Sequence, residues 1–134
     1  WERTMDRVLV DAPCSGLGVL RRKADLRWQR DEREIERLPV LQREILESAA
    51  RCVAADGELV YSTCTTEPEE NFELVKAFRL DHPEFEAVDL SPLLPFPLTD
   101  SHDIRQAAKG MLQLLPQRHG MDGFFLAKFR RIEV

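Results

Sequence analysis

The sequence predicts a single α/β domain built on an open sheet. Three observations carry this. Short runs of β-forming apolar residues alternate with a long amphipathic stretch and a second helical stretch. The first two runs stop at loops that carry polar and thiol side chains. A chain of 134 residues that is 43% hydrophobic and 32% charged suits one core and not two. With Gly 6 and Pro 8, collagen-like and low-complexity classes are excluded. No stretch approaches ~18 apolar residues, so no membrane-spanning helix is expected. No charged-then-apolar leader opens the chain, which predicts no secretory signal. It begins Trp1-Glu2-Arg3 without Met, the expected start of an excised piece of something longer.

The elements follow in order. Arg7-Val8-Leu9-Val10-Asp11 reads as a buried parallel strand, and Ala12-Pro13-Cys14-Ser15-Gly16-Leu17-Gly18 as the loop after it. From Asp31 to Ala55, Ile35, Leu38, Leu41, Ile45, Ala49 and Val53 recur at spacings of three and four. That is one apolar helix face. Pro39 is expected to split the stretch in two, and Asp56-Gly57 to end it. Glu58 to Cys64 is the second strand. Thr66-Glu67-Pro68-Glu69 has capping-box spacing, which predicts a helix from there to about Asp81. Phe85 to Leu90 reads as a third strand, residues 91–110 as a long loop, Met111–Leu115 as a short strand, and Phe124–Arg130 as the last strand after a Gly-Met-Asp-Gly turn.

Charge and cysteine content narrow the function. The net charge of −5 argues against a simple basic nucleic-acid binder. Its distribution is uneven, with seven basic and four acidic residues among the first 30. A basic face at Arg21, Arg22, Lys23, Arg27 and Arg30 is a candidate phosphate contact, and a solvated helix face is the plainer reading. Three cysteines, at 14, 52 and 64, make no disulfide framework and point to a reducing, cytoplasmic setting.

In an open α/β sheet, ligands sit beyond the carboxyl ends of the strands. If the first two strands are parallel neighbours, roughly 4.8 Å apart, then Asp11, Cys14 and Cys64 meet at one edge. Two thiols and a carboxylate there suggest thiolate chemistry, with a helix N-terminus after Cys64 favouring its thiolate. A buried Cys is also an ordinary small hydrophobe, and that is the reading for Cys52. There is no Cys-x-x-Cys pair, and His82, His102 and His119 lack ligand-like spacing, so zinc is not expected. Gly-x-Ser-x-Gly is absent, which disfavours a serine triad. An unrelated thiol enzyme lacks a His partner for its thiol.

Asp11-Ala12-Pro13-Cys14-Ser15-Gly16, Ser62-Thr63-Cys64-Thr65 followed by Pro68-Glu69-Glu70-Asn71, and Asp122-Gly123-Phe124-Phe125 resemble, in order, the signature blocks of the Sun family of RNA cytosine-5 methyltransferases, bacterial 16S rRNA type. Arg21-Arg22-Lys23-Ala24-Asp25-Leu26-Arg27-Trp28 resembles a further block, with Ala24 where the family usually has Pro. The resemblance implies S-adenosylmethionine as methyl donor and ribosomal RNA as substrate. It implies Cys64 as the nucleophile that adds to cytosine C6, Cys14 as the residue that assists product release, and Asp11 on the cofactor side. DNA cytosine-5 methyltransferases use the Cys of a Pro-Cys motif, so Cys14 is the rival nucleophile.

The resemblance further implies the carboxyl-terminal half of a Rossmann-like methyltransferase sheet. That half has strands in the order 4-5-7-6, the last strand antiparallel, over residues 1–134. A Gly-rich turn after a first strand and an acidic residue after a second are absent from residues 1–10; Gly16-Leu17-Gly18 belongs to the first Cys block. The chain alone is therefore expected to be inactive and not to bind S-adenosylmethionine. The alternative is a non-catalytic RNA- or partner-binding fragment. The Arg7–Asp11 strand is expected to present an open edge through which the chain forms a homo-oligomer.

Overall fold

The computed structural model describes residues 1–29 and 31–133, with Arg27 described by its backbone alone. Arg30 and the Arg27 side chain, both assigned above to a basic face, lie outside the described residues. Five strands form one sheet. β1 (Met5–Asp11) pairs in parallel with β2 (Val53–Thr63), and β2 pairs antiparallel with β5 (Phe124–Arg131). On the far side of β5 lie two short antiparallel strands, β3 (Phe85–Ala87) and β4 (Met111–Leu114). β3 faces Phe129–Arg131 and β4 faces Phe124–Ala127, so the two lie end to end along β5. The order β1-β2-β5-β3 matches the expected one, with the sixth-strand position shared by β3 and β4.

Register explains the core. Leu59 faces Phe129, Tyr61 faces Ala127 and Thr63 faces Phe125 across β2 and β5, and all six are fully buried. The period of two along each strand puts them on one face. Against that face pack α2 (Glu32–Cys52) through Leu46 and Ala50, and α3 (Phe72–Asp81) through Leu74, Val75 and Phe78. A second cluster of Leu90, Ala107, Leu112 and Leu114 joins β4 to α4 (Ser101–Ala108). Short α1 (Leu26–Gln29) and α5 (Pro116–His119) complete the chain.

Several expectations need correction. Pro39 does not break the helix: α2 runs unbroken through it for 21 residues. An interior Pro costs ~3 kcal/mol, but the turns on either side bury Leu38, Gln42, Leu46 and Ala50. Each leucine so buried contributes about 1.5–3 kcal/mol. Asp56-Gly57 does not end α2, which stops at Cys52. It forms an irregularity at the start of β2 instead, with Asp56 at φ 59°; Met5 faces Val53 while Arg7 faces Glu58. The capping box at Thr66 does not form. Residues 68–71 make turns, and α3 begins at Phe72 after Asn71. β3 ends at Ala87, not Leu90, and the expected loop at 91–110 holds a 3₁₀ turn (Ser91–Leu93) and α4. Asp100 caps α4 by accepting from the His102 and Asp103 amides.

Candidate active site

The parallel pairing of β1 and β2 brings the three expected residues to one edge. Asp11 is the last residue of β1 and stands opposite Ser62, whose hydroxyl donates to Asp11 Oδ1 at 3.2 Å. Cys14 lies three residues beyond β1 and Cys64 one beyond β2. Their Sγ atoms are 3.0 Å apart, and the Cys64 amide donates to Cys14 Sγ at 3.3 Å. Burial, and then the hydrogen bond with Cys64, push the Cys14 thiol up to about 12. Cys14 therefore holds its proton at neutral pH, and either sulfur can be the donor between the two.

The helix dipole expected to act on Cys64 is not adjacent to it, because α3 starts eight residues further on. What surrounds the thiols is a set of buried polar groups. Glu70 has no exposed surface and accepts from four donors. Its Oε1 takes the Ser15 amide (2.9 Å) and Gln42 Nε2 (2.9 Å). Its Oε2 takes the Ser15 hydroxyl (2.8 Å) and the Thr65 hydroxyl (3.2 Å). The Ser15 and Thr65 oxygens are themselves 2.7 Å apart. Gln42 Nε2 also donates to the Pro13 carbonyl at 2.9 Å. Next to Glu70, Asn71 accepts from the Thr63 hydroxyl (2.6 Å) and donates to the Thr65 carbonyl (2.9 Å) and to Gln113 Oε1 (2.7 Å). Nothing local in Pro68-Glu69-Glu70-Asn71 marks Glu70 and Asn71 for these roles. The available signal was Gln42, a polar residue at the four-residue spacing of Leu38, Leu46 and Ala50.

A third loop closes on the pair. The Gly18 amide donates to the Cys64 carbonyl at 3.0 Å, and the Gly123 amide to the Gly18 carbonyl at 2.7 Å. A Cβ on Gly18 would stand 2.3 Å from the Gly123 oxygen and 2.7 Å from the Cys64 oxygen, so only glycine fits. Asp122 binds Arg21 at 2.6 Å and Arg22 at 2.9 Å. The arginine side chains hold its carboxyl below the usual carboxylate range. Two of the three basic-face residues described at side-chain level, Arg21 and Arg22, are thus paired within the chain, although both guanidinium groups remain partly exposed.

His119 does more than turn the chain. Its Nδ1 accepts from the Leu115 amide (2.9 Å), so its Nε2 carries the proton and donates to buried Asp103 at 2.7 Å. Cys52 lies on α2 with its thiol directed to the Ser48 carbonyl, away from the pair. Among the described residues there is no cluster able to hold a metal ion and no helix long and apolar enough to cross a membrane. A cavity of about 710 Å³ lies between α2 and α3.

This arrangement has counterparts among known proteins. A curated relative from Bacillus subtilis, the probable ribosomal RNA small subunit methyltransferase B, is 44% identical over 126 residues, 94% of this chain and 27% of that protein. The crystal structure of PH0851 is 38% identical with a TM-score of 0.82, covering 97% of this chain and 27% of that one. The structure of NSun6 from Pyrococcus horikoshii with SFG is 29% identical with a TM-score of 0.71, covering 94% and 30%. The chain thus spans about a quarter of the length of the curated relative it matches. The model of the 16S rRNA methyltransferase RsmB/F family matches residues 1–130, and the chain belongs to that family.

Proposed function

We propose that this chain carries the nucleophilic half of an RNA cytosine-5 methyltransferase acting on 16S rRNA, with Cys64 as nucleophile and Cys14 assisting release. The observation that carries the reading is the 3.0 Å approach of the two thiols beside Asp11, at the carboxyl ends of adjacent parallel strands. Cytosine C5 is a weak nucleophile. Addition of the Cys64 thiolate to C6 forms a C–S bond and moves the ring electrons to C5 as an enamine. S-adenosylmethionine, of which SFG is an analogue, supplies the electrophilic methyl group when bound. After C5 is methylated, loss of its proton and breakage of the C6–S bond restore the aromatic ring and the Cys64 thiolate. Cys14 fits the second stage. Its S–H supports Cys64 sulfur while that sulfur bears charge. Cys14 keeps its proton: as the C6–S bond breaks, its S–H donates a hydrogen bond to the departing Cys64 thiolate, while the C5 proton passes to solvent. Asp11, exposed and fixed by Ser62, is placed to hold the cytosine N3–N4 edge.

For the cofactor, the residues present fit one wall only. Asp11 offers an exposed carboxylate at the end of β1, the edge strand of the sheet. That favours a chain that is inert alone, with catalysis requiring the length of its relatives. Titration calorimetry of S-adenosylmethionine into this chain is expected to give no saturable heat at about 1 mM ligand; clear saturation would overturn this part. To test the reaction, the chain replaces the matching 126 residues of the Bacillus subtilis relative. Digested 16S rRNA treated with this chimera is expected to contain 5-methylcytidine by mass spectrometry, and Cys64→Ala to abolish it. Methylation at another atom, or an active Cys64→Ala chimera, would sink the proposal.

A further inference from the structure

We propose that Glu70 is a positioning residue for the thiol pair, a buried carboxylate that joins the Cys14 loop to the Cys64 loop and sets the distance between the two sulfurs. The proposal deepens the functional reading above, on which its catalytic meaning rests. Every residue beside the cysteines is tied to this one segment. Ser15, next to Cys14, gives both its amide and its hydroxyl to Glu70. Thr65, next to Cys64, gives its hydroxyl, and Gln42 carries the carboxylate on to the Pro13 carbonyl. The Glu70 backbone is itself held, since the Tyr61 hydroxyl donates to its carbonyl at 2.7 Å.

The surroundings of the carboxyl group supply donors. Four donors from three separate segments converge on two oxygens, and among the described residues no Lys or Arg is paired with Glu70. A buried carboxyl group without a counter-ion is costly unless its hydrogen bonds are complete. Here they are complete, and each of the two cysteine loops supplies some of them. Neither loop can move away without unsatisfying the carboxylate, so the pair is held rather than merely adjacent. Glutamine at position 70 keeps part of this. Its oxygen can still take the Ser15 amide and Gln42, while its NH₂ faces two hydroxyls that can turn to accept. Alanine keeps none of it.

The distance between the sulfurs is measurable without any activity. In a Cys52→Ser background only Cys14 and Cys64 remain. Oxidised glutathione takes two electrons from the pair, giving one protein disulfide and two reduced glutathione molecules. The equilibrium reports the effective concentration of one thiol at the other. Glu70→Ala is expected to lower it about tenfold or more, Glu70→Gln by less than about threefold, and Thr65→Val to fall between. Circular dichroism checks that each variant is folded. A folded Glu70→Ala chain with an unchanged effective concentration overturns the proposal. If Glu70→Ala does not fold, an unchanged value in folded Thr65→Val overturns it instead. Should the expected pattern appear while the chimera makes no 5-methylcytidine, the positioning role stands and the functional reading alone fails.

Discussion

At the scale of single residues, the two thiols differ in environment although their sequence contexts look alike. Burial and Cys64 push Cys14 up to about 12, so little of it is thiolate at neutral pH. Alkylation by iodoacetamide at pH 8, mapped by mass spectrometry, is expected to label Cys14 about 100-fold or more slower than an ordinary thiol. Labelling at the ordinary rate would contradict the burial that raises the Cys14 thiol. Gly18 gives a sharper steric test. Gly18→Ala forces a Cβ against two carbonyl oxygens, and overpacking of that kind costs about 1–3 kcal/mol. Urea unfolding should show that loss; an unchanged midpoint would mean that the loop relaxes freely. The convergence of Asp11, Cys14 and Cys64 was legible because strand ends and loop residues are local signals. The buried shell was not, because a glutamate's partners are set by tertiary packing. Nothing in Pro68-Glu69-Glu70-Asn71 says that one glutamate is fully buried and its neighbour exposed.

At the scale of elements, long amphipathic stretches were readable and their boundaries were not. The apolar spacing of α2 is strong enough to override Pro39, the signal that argued for a break. Restoring the missing amide with Pro39→Ala is expected to stabilise the chain by about 1 kcal/mol or more in urea unfolding, less than the full helix-interior value because Pro also restricts the unfolded chain. A loss of stability would mean that the ring's packing in the α2–α3 groove outweighs the missing bond. The capping-box pattern failed for a similar reason. The Thr65 hydroxyl accepts the Glu67 amide while also meeting Ser15 and Glu70, and Asn71 becomes the residue before α3. Local capping chemistry lost to the shell around the thiols. α4 was missed because eight residues give too short a window for helical periodicity against two flanking prolines and a glycine.

At the scale of the whole molecule, the sheet ends in a long edge strand, β1, on one side and in the short strands β3 and β4 on the other. β1 pairs only with β2 among the described residues, and Leu9 on it is 67% exposed. We expect self-association through this edge; sedimentation showing only monomer at micromolar concentration would contradict it. At the opposite ends of the strands, Glu58 on β2 meets Arg7 on β1 and Lys128 and Arg130 on β5. The hydrogen bond from Lys128, together with the nearby arginines, holds Glu58 below the usual glutamate value of 4.5. Burial raises Glu84, but His82 and Arg131 outweigh it and hold that carboxyl below 4.5 as well. Folded-state values below the unfolded value stabilise the fold above about pH 4.5, and that contribution is lost as pH falls further. Urea midpoints measured from pH 6 to 3 should drop, and less steeply in Glu58→Gln. The parallel β1–β2 pair and antiparallel β5 were anticipated, since they follow from strand order. The splitting of the far strand into β3 and β4 was not, because it depends on where β5 runs past both. The division of labour between the two thiols is tested most directly by trapping the covalent adduct. The chimera is incubated with unmodified 16S rRNA and S-adenosylmethionine and examined for denaturation-stable protein–RNA adduct. Cys14→Ala is expected to accumulate adduct mapped to Cys64, and Cys64→Ala to form none. Adduct at Cys14 in the Cys64→Ala protein would reverse the roles and contradict the account.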